Sequence, residues 1–415
     1  MKNKILKGLA LAGLVLSLGA CNKTNDDTIE YTLKVYDLDN KLLVEDKIKE
    51  KNDTTLYDSL IKNTAIDVKI SDSSFGHYID AINNSISDPN YSLMIYENNT
   101  LSNSGVDYLK LNAGDEIVIK NECWNTIKSG YGTFDDTDVL VDKIIYQYSR
   151  NALHSFISKD ETYNSSNYWN YMLINIANDN LYDSNIFNAK DYASKALKDS
   201  LVIDDNMTID RWGKYYYTAK ALGVSLDTFK PKYAEFINGI QTDYSAAEYS
   251  LPFGITMAKT LNITSANLEE LVNTTYRCST DWGIDALMWQ LTALSAFDKV
   301  TKEDLNTISI SLEKSAIYDI NYNVIGEHTN AISTALKLLP FAALGENPRT
   351  KKNSSNKDLV ELLIEEFYDS KTGYFKLYGD DEKASDDNIF INQIYVSLMA
   401  YKITRDLNKK VNIFA

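Results

Sequence analysis

The order of hydrophobic and polar residues changes once along the chain, and the first part has a two-residue period. Residues 28–122 contain short runs in which apolar and polar side chains alternate, as at Ile29, Tyr31, Leu33 and Val35. Such alternation is typical of strands with one buried face. A helical pattern interrupts the strands between residues 54 and 63, where a threonine can cap the helix. The sequence therefore predicts a small α+β module.

From residue 139 to about residue 407 the hydrophobic period becomes 3.6 residues, which predicts twelve helices of two alternating kinds. One kind carries a single apolar stripe, as in the helix predicted to start at Thr301. The other kind is apolar nearly all round and must be buried on all sides. These enclosed segments are 169–177, 212–222, 249–261, 282–297, 331–344 and 389–401.

Six enclosed helices that alternate with six one-sided helices predict a closed (α/α)6 toroid, in which an outer ring of helices surrounds an inner ring. The expected fold class is therefore multi-domain, with a small α+β N-terminal module followed by an all-α (α/α)6 toroid. The predicted segments are a signal peptide over 1–20, a polar stalk over 21–27, the module over 28–122, a linker over 123–138, the toroid over 139–407 and a tail over 408–415.

The first twenty residues have the composition of an export signal. Three lysines within residues 2–7 precede an apolar run over residues 9–18, which is too short for a permanent membrane-spanning helix. The run ends in Leu18-Gly19-Ala20-Cys21, which resembles the lipobox of bacterial lipoproteins. The resemblance implies lipidation of Cys21 and attachment of the mature chain to the extracellular face of the cell membrane. The alternative is an ordinary secretory signal followed by an incidental cysteine.

Charge and composition exclude several classes of function. The 415 residues include 42 Lys+Arg and 58 Asp+Glu, and the net charge of −16 is spread along the chain. Because binding to a phosphate backbone depends on lysine and arginine, we exclude nucleic acid as a partner. Three histidines and three cysteines are too few for a zinc cage, an iron–sulfur cluster or a disulfide framework. Whether Cys123 and Cys278 form a disulfide stays open, since the sequence gives no distance between them.

Segments of both parts resemble one family of binding proteins. Four segments of the module look like the C-terminal β domain of transcobalamin: 56–60, 76–83, 91–99 and 109–115. Three segments of the helical part look like the inner-helix repeats of transcobalamin, intrinsic factor and prenyltransferase-like bacterial surface proteins: 211–223, 283–294 and 330–345. The module precedes the toroid here, whereas the toroid comes first in the animal carriers.

The resemblance implies a non-enzymatic surface lipoprotein that binds a corrinoid, such as cobalamin, between the module and the toroid. The ligand would then be delivered to an uptake transporter in the membrane. The implied partners are a small-molecule ligand, the membrane through the lipid anchor, and that transporter. The chain would need no cofactor of its own apart from the bound corrinoid.

A corrin ring is a flat disc with apolar faces and an amide rim, so its site needs aromatic walls and amide or hydroxyl partners. Tyrosines of the module strands would cover one face, and residues near the starts of inner helices would meet the other. The expected ligand-binding residues are Tyr78, Tyr91, Tyr96, Trp124, Trp169, Trp212, Trp282, Asp285, Asn330 and Gln393. His328, which is expected in a loop before an inner helix, is the candidate axial ligand of cobalt.

Some toroids of this kind are enzymes, but the sequence does not carry their motifs. Cys278, Asp285 and His328 lack the spacing of the zinc ligands in protein prenyltransferases. The acidic clusters at 135–138 and 380–387 lie in predicted polar loops and are interpreted as solvated surfaces. We predict no catalytic residue and expect a binding protein. The alternatives are a glycan-active enzyme of the toroid class and a surface adhesion or scaffold protein without a small ligand.

Overall fold

The structure is a computed structural model. It describes residues 28–38, 40–73, 76–83, 85–87, 91–123, 135–151, 157, 162–164, 167–181, 189–204, 206–240, 250–277, 284–308, 314–318, 324–379 and 391–415. Four residues singled out above lie outside the described residues: Cys21, Trp124, Cys278 and Trp282. The acidic cluster at 380–387 also lies outside them.

The N-terminal module contains two sheets and one helix. The strands are β1 (Thr28–Tyr36), β2 (Leu42–Lys51), β3 (Val68–Ser73), β4 (Gly76–Ile82), β5 (Ser85–Ile86), β6 (Tyr91–Glu97), β7 (Thr100–Leu101) and β8 (Glu116–Cys123). One sheet has the order β2-β1-β8-β6-β7, with β1 and β8 parallel and the other pairs antiparallel, and the second sheet has the order β3-β4-β5. Helix α1 (Leu56–Lys62) begins after Thr55, whose hydroxyl accepts a hydrogen bond from the Asp58 amide.

The two-residue period of the strands separates the two faces of the larger sheet. Alternate residues of β1, β6 and β8 pack with α1 and with β4 in one hydrophobic core. Tyr31 lies in this core, and its hydroxyl is 2.8 Å from the Ser59 hydroxyl of α1. The intervening residues of the same strands lie on the opposite face, which is polar and aromatic.

The C-terminal part is helical, with thirteen helices among the described residues. They are α2 (Asp136–Asn151), α3 (Tyr168–Asn180), α4 (Ala189–Tyr192), α5 (Lys195–Asp199), α6 (Ile209–Leu222), α7 (Phe229–Gly239), α8 (Leu251–Thr260), α9 (Ala266–Arg277), α10 (Ile284–Ser295), α11 (Ala331–Leu336), α12 (Leu338–Leu344), α13 (Leu359–Phe367) and α14 (Asn392–Leu407). Two short hairpins accompany them, formed by β9 (Lys314–Tyr318) with β10 (Val324–Thr329) and by β11 (Tyr368–Asp369) with β12 (Tyr374–Phe375). The predicted order of an α+β module followed by an all-α region is confirmed.

The enclosed helices contact one another in sequence order. Helix α3 contacts α6, α6 contacts α8, α8 contacts α10, and α10 contacts α11 and α12. Both α11 and α12 contact α14, and α14 contacts α3, so the contacts form a closed ring. Residues 168–177 of α3 and 392–405 of α14 are buried without interruption, as expected for helices that lack a polar face.

One predicted outer helix is wrong. The capping contact is present, because the Asp304 carboxylate accepts hydrogen bonds from the amide and hydroxyl of Thr301. However, the described residues form only a 3₁₀ turn, over Asp304–Thr307, and strand β9 from Lys314 onward. The reason lies in the sequence that follows, Thr-Ile-Ser-Ile-Ser over residues 307–311, which alternates with period two and is rich in β-branched residues.

The end segment (residues 408–415), which was predicted as a tail, packs against the ring. Val411, Ile413 and Phe414 are buried. The Phe414 carbonyl accepts a hydrogen bond of 2.7 Å from the Tyr217 hydroxyl of α6, and the Asn412 amide donates to the α10 backbone at 2.6 Å. The end segment therefore joins helices that are distant in sequence.

A buried charge network connects α2 with α14. Arg405 is fully buried and donates to Asp138 at 2.9 Å, to Asp142 at 2.6 Å and to Asp406 at 2.6 Å. Arg349 donates to the other oxygen of Asp138 at 2.8 Å. The interpretation of residues 135–138 as a solvated surface is therefore wrong for Asp138, because a buried arginine requires carboxylate partners.

Candidate functional site

A cavity of about 340 Å³ opens on the polar and aromatic face of the larger sheet. Strands β1, β6 and β8 supply its floor, which includes Lys34, Tyr36, Tyr96, Glu116, Val118 and Lys120. Asn40 and Asn99 contribute from turns at its edge, and both adopt the left-handed backbone conformation, with φ of 58° and 67°. Asparagine tolerates this conformation better than most residues, which explains its use at these turns.

The charged groups of this cavity differ in their partners. The Lys34 ammonium lies 2.7 Å from Glu116 and 3.8 Å from Glu45, so its charge is compensated. The Lys120 ammonium instead lies over two aromatic rings, 5.8 Å from the centre of Tyr36 and 5.3 Å from the centre of Tyr96. These distances are within the range of a cation–π contact.

The Tyr96 ring is held by a hydrogen bond from its hydroxyl to the Glu122 carboxylate, at 2.6 Å. This bond to an anion, together with partial burial, raises the pKa of Tyr96 above its ordinary value. The phenol therefore stays protonated and keeps its donor role across the physiological range. Tyr96 thus provides a fixed aromatic wall for the cavity.

The three predicted tyrosines do not share one surface. Tyr78 is 40% exposed, and its hydroxyl is 2.9 Å from Ser92, which lies on the same face of β6 as Tyr96. Tyr91 lies on the other face of β6, is 2% exposed, and belongs to the hydrophobic core of the helical region. The Lys402 ammonium of α14 lies 5.7 Å from the centre of the Tyr91 ring. Tyr91 therefore joins the module to the ring of helices.

A second cavity, of about 500 Å³, lies between α6 and α7. Its apolar lining includes the predicted residue Trp212 together with Met207 and Phe236, and Lys232 and Glu235 are at its edge. Trp212 itself is 4% exposed and packs edge-on against Phe229, with ring centres 5.3 Å apart. Trp212 is therefore mainly a core residue that forms part of a cavity wall.

The predicted residue Trp169 lies in an aromatic cluster inside the ring. Its ring centre is 5.4 Å from that of Trp289 and 6.2 Å from that of Phe253, and it is 2% exposed. Phe414 of the end segment completes the cluster, 4.8 Å from Phe253. Trp169 therefore fills the core.

The polar residues predicted at helix starts have local partners. The Asn330 side chain accepts a hydrogen bond from the Ile332 amide at 2.7 Å and caps α11. Asp285 of α10 is hydrogen-bonded to Ser333 of α11; burial raises its pKa, while Ser333 and the charge of Lys337 oppose that rise. Gln393, near the start of α14, is 6% exposed. The starts of α10 and α11 therefore lie close together.

The predicted cobalt ligand is in a different kind of element from the one expected. His328 lies in β10, opposite Ser315 of β9, and not in a loop. Val324, Ile325 and Thr329 of β10 are β-branched, and such residues favour a strand. Among the residues that the structure describes, no cluster of three or more histidine, cysteine, aspartate or glutamate side chains is suited to hold a metal ion.

Sequence reasoning missed Tyr36, Lys34 and Lys120 as cavity residues. All three occupy the polar positions of strand alternation, where a binding surface and a solvated surface have the same pattern. Within the described part of the chain, no helix combines the length and apolar character that are needed to cross a membrane.

Comparison with known proteins concerns the module. Residues 53–122 match a family described as a domain of unknown function (DUF4430). This is a transcobalamin-like domain family. The match supports the resemblance of the module and covers less than half of the chain.

Among solved structures, the chain is similar to a putative metal binding protein from Ruminococcus gnavus. The two are 16% identical, the TM-score is 0.20, and the alignment covers 23% of this chain and 97% of the other. No curated protein matches the chain.

Proposed function

We propose that this protein binds a small organic ligand without transforming it. The observation that supports this function is the aromatic-walled cavity on a module that matches a transcobalamin-like family. Cavities of a few hundred Å³ that combine aromatic walls with a few polar groups are typical of ligand sites. The lipobox-like sequence before Cys21 supports attachment to the outer face of the membrane, where a bound ligand is handed to an uptake transporter.

A corrinoid is the ligand that we propose. Its apolar faces suit the tyrosine walls, its amide rim suits the asparagines at the edge and the lysine and glutamate side chains of the floor, and no titrating acid or base is required. The cavity of about 340 Å³ is smaller than a complete corrinoid, so the module contributes only part of the site. In this proposal the remaining partners come from residues outside the cavity, for which Asp285, Asn330 and Gln393 are the candidates from the sequence.

The first test is the identification of small molecules that co-purify with the mature chain from native cells, by mass spectrometry. The second test is calorimetry with cyanocobalamin and cobinamide. We expect binding at micromolar affinity or better. Absence of binding by any corrinoid at about 100 µM would reject the corrinoid, whereas another co-purified molecule would replace it as the ligand.

Matched variants locate the site within the module. Tyr96→Ala removes an aromatic wall and should weaken corrinoid binding by about 2 kcal/mol, in the range of aromatic anchor losses. Tyr108→Ala is the control, because Tyr108 is also a module tyrosine but is 72% exposed and does not line the cavity. Equal binding by both variants would place the ligand elsewhere.

A further inference from the structure

Lys120 lies in the module cavity without a carboxylate partner among the described residues. Its ammonium contacts the rings of Tyr36 and Tyr96, at 5.8 and 5.3 Å from their centres. Lys34 and Glu116, the other charged residues of the cavity, are paired with each other at 2.7 Å. Among the charged residues that line the cavity, Lys120 is therefore the one that forms no salt bridge with a described residue.

The position of Lys120 follows from the register of the sheet. Lys120 of β8 is directly opposite Tyr36 of the parallel strand β1 and opposite Met94 of the antiparallel strand β6. Tyr96 lies two residues along β6 on the same face. Lys120 and the two tyrosines therefore lie on three adjacent strands of one sheet, and none of them is in a loop.

We propose that this cavity binds a flat ligand that carries one carboxylate, with the carboxylate on the Lys120 ammonium and the flat part against Tyr36 and Tyr96. A charge-assisted bond between ammonium and carboxylate is strongest where water is partly excluded, as between these two rings. Glu116 and Glu122 lie on the same face of β8 as Lys120, so repulsion by their carboxylates favours a singly charged ligand over a doubly charged phosphate. The ligand class is therefore a planar monoanion.

The cavity volume limits the size of the ligand part that enters. About 340 Å³ is near the lower end of the range for small-molecule sites and suits one or two fused rings. This inference rests on the proposed function, in that the module is taken to bind a ligand, but it does not require that ligand to be a corrinoid.

The probes are benzoate and benzamide, which have the same ring and nearly the same shape but differ in charge. Binding to the purified full chain is measured by saturation-transfer NMR titration. We expect benzoate to bind at least about tenfold more tightly than benzamide, the effect of a hydrogen bond to a charged group. The preference should fall at high salt, because the cation is only partly buried. Equal binding of the two probes would overturn the inference.

Three variants assign the preference to Lys120. Lys120→Met should remove the preference for benzoate, and Lys120→Arg should retain it, because the charge is kept. Lys49→Met is the control, since Lys49 is an exposed lysine of strand β2 in the same sheet and lies outside the cavity. The inference would be contradicted if Lys120→Met kept the preference for benzoate. It would also be contradicted if both Lys120→Arg and Lys49→Met lost that preference.

The outcome is separable from that of the proposed corrinoid. A benzoate preference that depends on Lys120, without corrinoid binding, rejects the corrinoid and keeps the carboxylate site. Corrinoid binding without any benzoate preference rejects the carboxylate site and keeps the corrinoid.

Discussion

Replacing Arg405 by alanine tests how strongly the buried charge network stabilises the ring of helices. Arg405 is fully buried, and its guanidinium contacts Asp138, Asp142 and Asp406. Although burial opposes the charged form, these carboxylates raise the pKa of Arg405 well above its ordinary value. The arginine therefore remains charged in the folded state, and its removal leaves carboxylates behind.

The expected loss follows from the partners that remain. Removing one member of a buried ion pair typically costs about 3–5 kcal/mol, because the other charge is left in a medium of low polarity. Here the loss is smaller, because other cations still neutralise the same carboxylates. The Lys402 ammonium lies 3.3 Å from Asp142 and 2.9 Å from Asp406. The Arg349 guanidinium lies 2.8 Å from Asp138. We therefore expect Arg405→Ala to lower the free energy of unfolding by about 3 kcal/mol at neutral pH.

The assay is urea unfolding of the full chain, followed by far-ultraviolet circular dichroism, which reports mainly on the helices. The control is Arg211→Ala. Arg211 pairs with Asp204 at 2.7 Å, but its side chain is 46% exposed, so the loss should be about 1 kcal/mol or less. A loss for Arg405→Ala that is no greater than for Arg211→Ala would refute the reasoning.

The pH dependence of the Arg405→Ala variant gives a second check. Carboxylates left without the arginine have a raised pKa in the folded variant, so the folded state binds protons that the unfolded state does not. The deficit relative to the unmodified protein should therefore shrink as pH falls from neutral toward the ordinary aspartate range. A deficit that is constant with pH would show that lost packing, and not stranded charge, causes the effect.

Four further predictions concern other parts of the chain. Cys21→Ser should abolish labelling by a fatty-acid probe, and a labelled mutant would disprove lipidation at this residue. Limited proteolysis should cut first within the predicted linker, residues 123–138, since the parts on either side have their own cores. A first cut within 166–345 would contradict a closed ring. Phe414→Ala should lower the free energy of unfolding by about 3–5 kcal/mol in urea titrations, because the ring is fully buried. Burial raises the pKa of Tyr31 to about 12, so the unfolded state loses the phenol proton at a lower pH than the folded state. The free energy of unfolding should therefore fall by about 2–3 kcal/mol as pH rises above about 10. Tyr31→Phe should remove that part of the pH dependence.

Much of the fold could be predicted because burial repeats with a period that depends on the element. The strand positions of β1 and the all-round apolar segments that became α6 and α14 are examples. The failure after Thr301 has a local cause, since a capping pattern marks where a helix can start but not whether the following residues continue it.

The buried network could not be predicted, because Arg405 and Asp138 are 267 residues apart and no local pattern connects them. The same limit applies to the site. Aromatic candidates such as Tyr96 can be chosen from the sequence, but Lys120 resembles any solvated strand residue until the sheet register places it between two tyrosines.

The closed ring of contacts has a consequence for the time course of folding. Its final contact joins α14 to α3, and the end segment forms hydrogen bonds with α6, α10 and α12. The ring therefore depends on contacts between residues that are distant along the chain. Such long-range pairing makes folding slow. The ribosome synthesises α14 after the other helices of the ring. Until α14 closes the ring, the earlier helices therefore expose apolar surfaces and need protection from aggregation.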